Sequence, residues 1–487
     1  MRAAKQIVRT RTGFSWRFVT PLLAGSALNP INSSLIATAL VPIAAALHVP
    51  VGRTAVLVSA LYLTTAIAQP TAGKLSEEFG PRRVFLGGIL TVLAGGVVGG
   101  LSGNLTTLVL ARVLIGVGTS TAYPSAMLLV RRQAEHAEMD EPPGPVLGGL
   151  VMAGTVTAAA GLPLGGVLVD AWGWRTTFLV NIPLAIATLV MALMWIPPDP
   201  KTGRSITLGR IVARIDLAGI AGFGAAMAAF LVFLLSFPRP HWIALGLAVL
   251  CGATLVWWEM QERRPFFDVR LLAANLALTL TYVRFALTML CVYTVFYGIT
   301  EWAEAGRGVS AREAGLLLLP MNALAVLLVP LISRRKLVRV PLIMSAFSCL
   351  AASFGLLFLS TSTPIVGIVG VTLLFGITLS TTSIGNQTAL YTHVTAHQIG
   401  TAAGLLRSFG YLGSIASAAI ISVVFHTRVD DHGLHVTGWV MIAVSVAGLL
   451  ALLTDRSILR RAVARVRKVC RNELGIKRTE GVDFEPR

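Results

Sequence analysis

Three arginines stand inside long apolar runs of this chain: Arg112, Arg284 and Arg407. A guanidinium stays charged at any working pH and carries five N–H donors. Within hydrocarbon it must therefore pair, hydrogen-bond or line a wet cavity. Arg112 lies about seven residues, roughly 10 Å at 1.5 Å per residue, from the outer end of its run. Arg284 and Arg407 lie roughly eight residues inside theirs from the opposite side, a depth from which long side chains can also snorkel to water. No acid accompanies them, because all 22 Asp and Glu fall in loops, tails or at the ends of runs. The nearest candidates for a proton carrier are Asp170 and Glu301. The five residues together read as proton-coupling or substrate groups, and cations without a central carboxylate favour anionic or neutral cargo over cationic cargo.

Around them the sequence offers aromatic and amide groups suited to an apolar ligand. Asn32, Tyr62, Gln69, Tyr123, Tyr282, Tyr293, Asn322 and Asn386 are expected to line a cavity. Tyr297 and Tyr391 read instead as belt residues at the membrane–water interface. Soluble-enzyme chemistry finds no support. There is no phosphate-binding glycine loop, so ATP is not the expected energy source, and the eight histidines show no metal-ligand spacing. The four cysteines, Cys251, Cys291, Cys349 and Cys470, show neither pairing nor metal spacing. Neither a metal, a cofactor nor a catalytic group is expected.

The elements that must position these groups follow from composition. With 55% hydrophobic and 13% charged residues and a mean hydropathy of +0.76, the chain reads as an all-α polytopic membrane protein. About 20 apolar residues cross roughly 30 Å of hydrocarbon as a helix, and only a helix or a closed barrel satisfies its own backbone there. About fourteen such runs are present, beginning near Phe18 and ending near Thr454. They divide into a basic N-terminus at 1–17, six spans in 18–196, a linker with two extra spans in 197–273, six spans in 274–454 and a basic tail at 455–487. About 31 of the 40 Lys and Arg lie on the side of the N-terminus against about 6 on the other. Both termini are thus expected in the cytoplasm. The net charge of +18 follows from that bias rather than from nucleic-acid binding. The basic N-terminus precedes a run long enough to span and is expected to stay attached. Asp455 to Lys477 alternates apolar and basic residues as an amphipathic helix would on an anionic inner leaflet.

Particular motifs carry a family resemblance. Between the second and third runs lies GKLSEEFGPRRV, from Gly73 to Val84, read as a short polar hairpin in which Glu77 pairs with Arg82 and Arg83 across the Gly80 turn. It is close to the G-x-L-A-D-R-x-G-R-[K/R]-x loop of the major facilitator superfamily, with Glu77, Glu78 and Pro81 departing from the pattern. LARVLIGVG around Arg112 resembles that superfamily's R-x-x-Q-G-x-G. GLPLGG, with Gly161, Pro163, Gly165 and Gly166, is similar to the antiporter motif G-P-x-x-G-G with its proline one place late. WGWRTTFLVNIP at Trp172 to Pro183, SAREAGLLLLPM at Ser310 to Met321 and GTAAGLLRSFGYLGS at Gly400 to Ser414 look like the fourteen-span drug:proton antiporter branch. Internally, IGVGTS at Ile115 to Ser120 resembles FGITLS at Phe375 to Ser380, a trace of two related halves.

The resemblance implies two six-helix bundles with two extra helices between them, rocking around a midplane site. It implies proton-coupled export of drug-like small molecules or metabolites across a bacterial cytoplasmic (inner) membrane. The hairpin would act as a cytoplasmic latch, and the fifth span would limit leak. That branch carries an aspartate in its first span, where this chain has Asn29 and Asn32. An amide cannot exchange a proton near neutral pH. Two alternatives therefore stand beside the first reading: an exporter or exchanger of organic anions or neutral metabolites without first-span coupling, and a membrane scaffold or sensor that moves nothing. The expected partners are a small-molecule substrate and the lipid bilayer, with no nucleic acid, and the expected state is a monomer.

Overall fold

The computed structural model describes residues 14–49, 51–54, 56–139, 141–199, 216–237, 239–262, 265, 269–309, 311–334, 338–395, 398–425 and 429–455. The expected amphipathic tail helix lies outside the described residues apart from Asp455. Among the described residues, thirteen helices are long and apolar enough to span a membrane. A fourteenth span, the first, is interrupted. Here α1 (Trp16–Leu35) passes through a 3₁₀ turn at Ile36–Ala39 into a further helix at Leu40–Leu47. Pro42 explains the tightening. It offers no N–H to the Thr38 carbonyl, and its ring crowds that carbonyl.

The remaining spans of the first half are α2 (Val56–Phe79), α3 (Pro81–Gly100), α4 (Leu105–His136), α5 (Gly144–Trp172) and α6 (Asn181–Trp195). An inserted pair follows, α7 (Leu217–Leu235) and α8 (Trp242–Gln261). The second half comprises α9 (Leu276–Glu301), α10 (Ala311–Ser333), α11 (Arg339–Leu356), α12 (Ile365–His393), α13 (Ile399–Val424) and α14 (Asp431–Thr454). Caps are set locally: the side chains of Ser15, Asn104, Asp216, Asn275 and Asp430 each accept from a backbone N–H of the first turn they precede.

Within the first half α1 packs on α5, α2 on α4, α3 on α4, and α6 on α3 and α1; eight spans later the same pairings recur, α9 on α13, α10 on α12, α11 on α12, and α14 on α11 and α9. The two similar hexapeptides occupy equivalent places in this repeat. A Cβ at Gly116 in α4 would stand 3.4 Å from the Leu61 carbonyl of α2, and one at Gly376 in α12 would stand 2.5 Å from the Met321 carbonyl of α10. Each glycine lets the fourth helix of its half approach the second.

The inserted pair sits outside this repeat. Helix α7 leans on α2 and α13, Gly224 lying against Ile67, and α8 packs mainly on α7. Within an 18-residue apolar stretch of each helix, only 17% of residues are buried in α8, whereas 83% are in α4. So α4 runs through the interior and α8 along the rim. Exposed side chains on the rim are apolar, among them Leu90, Ile186, Val249, Leu327, Phe347 and Leu450, as lipid contact requires.

Candidate functional site

The two bundles meet along an antiparallel seam between α2 and α13, built from small residues at helical spacing. A Cβ on Gly73 would lie 2.3 Å from the Gly400 carbonyl oxygen, and one on Gly404 would lie 2.5 Å from that of Gln69. Backbones this close exclude any side chain, so these positions require glycine. Polar groups then lock the seam. The Glu77 carboxylate accepts from the Thr401 backbone N–H at 2.7 Å and from its hydroxyl at 2.9 Å. The Ser408 hydroxyl donates to the Ala66 carbonyl at 2.7 Å. The symmetry-related junction of α5 with α10 places Gly148 against Ser333, and the Tyr391 hydroxyl donates to the Met127 carbonyl across α12 and α4 at 3.1 Å. These contacts lie in the halves of the helices nearer the chain termini, so that face of the molecule is closed.

The structure corrects the hairpin reading. Helix α2 continues through Glu77 and Glu78 to Phe79, and α3 begins at Pro81; only Gly80, at φ 99°, lies between. Glu77 therefore points across to α13 instead of back toward Arg82 and Arg83. The backbone N–H groups of Arg82 and Arg83 reach the Asp199 carboxylate at 3.4 and 2.9 Å, the Arg82 guanidinium donates to the Leu193 carbonyl, and Arg132 pairs with Asp199 at 3.4 Å. A Cβ at Gly80 would strike Asp199. The start of α3 is thus tied to the end of α6, where exposed backbone N–H groups favour an anion.

At mid-span lies a polar cluster. The Asn29 amide donates to the Thr65 and Thr119 hydroxyls at 3.2 and 2.9 Å and accepts from the Tyr411 hydroxyl at 2.7 Å. One asparagine thereby joins α1, α2, α4 and α13. Asn32, 1% exposed, donates to Asn181 of α6 at 2.6 Å and to the Leu28 carbonyl at 2.8 Å. Arg112, 2% exposed, donates from Nε to the Leu57 carbonyl and from one terminal nitrogen to the Asn32 carbonyl, at 3.0 and 3.2 Å. Its other terminal nitrogen has no hydrogen-bond partner among the described residues. Arg112 faces the bundle interior, on backbone oxygens rather than on an acid.

Arg407 lies beside this cluster. Its guanidinium stands 4.0 Å over the Tyr123 ring and close enough to Tyr293 and Tyr411 to act on both electrostatically. Tyr62 and Tyr411 face one another with ring centroids 6.0 Å apart, as do Tyr293 and Tyr297. Rings from both bundles thus surround one cation.

Other residues singled out from the sequence are placed elsewhere. Arg284, 3% exposed, donates to Asn386 at 3.0 Å and pairs with Asp455 at 3.6 Å, so Asn386 holds this arginine inside the second bundle and does not face the midplane cluster. Tyr282 stacks on Phe409 and donates to the Ala402 carbonyl, and is 1% exposed. Gln69 is buried in the seam, and Asn322 is half-buried, bonded to its own helix at Leu318. Tyr391 is 8% exposed and bridges the bundles, which overturns its reading as a belt residue. Asp170 and Glu301 are exposed near the ends of α5 and α9 farther from the termini, away from the arginines. Gly161 and Gly165 pack on Ser34 and on Thr38 and Leu35 beside the 3₁₀ turn of α1; Gly166 faces open space, and Pro163 lies within α5.

Sequence reasoning missed the partners: Thr401, Asp199, Asn181 and Asp455. None stands in a motif near its mate, and only folding brings them together. Asp455, at the end of the last span, could have been paired with Arg284 from the depth of each on the same side.

Residues 22–418 match the model of the Major Facilitator Superfamily. The chain belongs to this superfamily. Among its relatives are an uncharacterized MFS-type transporter of Bacillus subtilis, YwoD, 30% identical over 91% of this chain and 98% of that one. The tetracenomycin C resistance and export protein of Streptomyces glaucescens is 27% identical over 86% of this chain and 77% of that one. Among solved structures, the human organic anion transporter MFSD10 superimposes with a TM-score of 0.61 at 16% identity, covering 90% of this chain and 99% of that one. The proton:xylose symporter XylE does so with 0.60 at 14% identity, covering 91% and 95%. At such identities these two show the fold alone. The chain is therefore a multi-pass membrane protein of a transporter superfamily, with the pair α7 and α8 inserted between its two six-helix halves.

Proposed function

We propose that this chain exports small molecules across the cytoplasmic membrane by alternating access, with both termini on the cytoplasmic side. The observation that carries the reading is the α2–α13 seam. It closes one face through glycine contacts and a few hydrogen bonds, while the polar and aromatic groups of both bundles converge at mid-span. A seam held by few bonds can open without unfolding either bundle, as rocking around a midplane site requires. The names of relatives, which include resistance and export proteins, support the outward direction. In this reading Glu77 and Thr401 hold the cytoplasmic side shut while the cargo site faces outward.

A proton gradient would supply the energy, in exchange for cargo. A specific observation favours a second reading, exchange without proton passage through α1: both first-span amides are consumed in hydrogen bonds and neither titrates. The test is dye flux into inside-out vesicles containing the purified chain, with a pH-sensitive dye in the lumen. Uptake of at least one cationic, neutral or anionic dye above protein-free vesicles supports export. An accompanying rise in lumenal pH supports proton antiport, and uptake without it supports uncoupled exchange. No uptake of any dye would leave the scaffold reading standing and overturn export.

A further inference from the structure

Resting on the export reading, we propose that Arg407 is the recognition point for an organic anion, and that the cargo carries an aromatic ring system beside its acidic group. Among the described residues, no carboxylate lies within the 4.0 Å that defines an ion pair with Arg407. Of the carboxylates on the helices around it, Glu77 accepts from Thr401 and Glu135 pairs with Arg131, while Glu78 and Glu301 stand at the ends of α2 and α9. A second buried cation, Arg112, toward the outer ends of α2 and α4, has carbonyl oxygens as its hydrogen-bond partners among the described residues. Among the described residues neither guanidinium has an ion-pair partner, and a cation in a low-dielectric setting gains most from an opposite charge.

The geometry of Arg407 suits a ligand. Its guanidinium carbon lies 4.0 Å over the Tyr123 ring, where the ring face favours a cation. A guanidinium carries five N–H donors, and a carboxylate or sulfonate can take two of them side by side. The side chain is half-buried, as are Tyr62, Tyr293 and Tyr411 around it. Tyrosines of α4, α9 and α13 therefore lie near the cation, with Tyr62 of α2 against Tyr411. An anion with a fused ring would bind its acid at Arg407 and its ring among these tyrosines, touching both bundles at once. A ligand cation at the same place would meet Arg407 with like charge.

Two dyes sharing one ring system separate charge from shape: anionic fluorescein and cationic rhodamine 6G. Binding to the purified full chain is measured by fluorescence polarisation, and uptake into inside-out vesicles is measured in parallel. The expected result is at least tenfold tighter binding and faster uptake of fluorescein. Arg407→Gln should cut fluorescein affinity at least tenfold and shift the ratio toward rhodamine 6G, whereas Arg407→Lys should keep part of the preference. Tighter binding of rhodamine 6G by the native chain, a ratio unchanged by Arg407→Gln, or binding of neither dye would overturn the assignment. Anion-selective binding without uptake would uphold the assignment while contradicting export, so the two claims fail separately.

Discussion

The Glu77 carboxylate closes the contact between the two bundles by accepting both the backbone N–H and the hydroxyl of Thr401, at 2.7 and 2.9 Å. Hydrogen bonds to a charged acceptor contribute about 1.5–3 kcal/mol each when half-buried. Few other polar bonds hold this seam, so the pair weighs heavily in the balance between a closed and an open face.

Glu77→Gln should weaken both bonds and raise the open population on the termini face by roughly tenfold or more, on the rule of 1.4 kcal/mol per tenfold. Hydrogen–deuterium exchange reads this directly, because the Thr401 amide is itself one of the donors. Peptides covering residues 398–406 and 70–80 should take up deuterium faster in the variant, with peptides from α3 unchanged.

Gly73→Val should separate α2 from α13, since even a Cβ would stand 2.3 Å from a backbone oxygen. Backbone cannot yield as a flexible side chain can. Dye uptake should fall by at least tenfold, whereas Gly87→Ala, at an exposed site with nothing within 4 Å, should retain uptake and melting temperature.

Asp455→Asn should leave Arg284 buried beside a neutral partner. Breaking one side of a buried pair costs about 3–5 kcal/mol, while replacing both partners by apolar residues is often near neutral. A thermal melt in detergent should show a large loss for Asp455→Asn and a smaller one for Arg284→Met combined with Asp455→Leu.

Arg112→Lys should keep the charge but lose one of the two carbonyl contacts, because an ammonium cannot span Leu57 and Asn32 as the planar guanidinium does. Uptake should fall by more than membrane insertion does, with surface expression measured in the same cells.

The spans were legible in the sequence because hydrocarbon imposes one demand on every segment, and apolar length meets it. The repeat was legible only faintly, in Gly116 and Gly376, where close packing requires the same small residue twice. The depth of Arg112 correctly indicated an inward-facing side chain. Its anchors, backbone carbonyls on two other helices, leave no trace in residue identity. The direction of Glu77 was misread for a related reason: charge alone suggested the arginines nearest in sequence, whereas unbroken helix to Phe79 turns the carboxylate toward α13. Asn29 and Asn32 were visible as departures from an expected acid, but their fourfold role in joining helices depends on neighbours from distant parts of the chain.

Alternating access through this seam is most directly tested by locking it. A chain bearing Glu77→Cys and Thr401→Cys, treated with a short bis-methanethiosulfonate cross-linker, should lose dye uptake and regain it when the link is reduced. Undiminished uptake by the cross-linked protein would contradict the account.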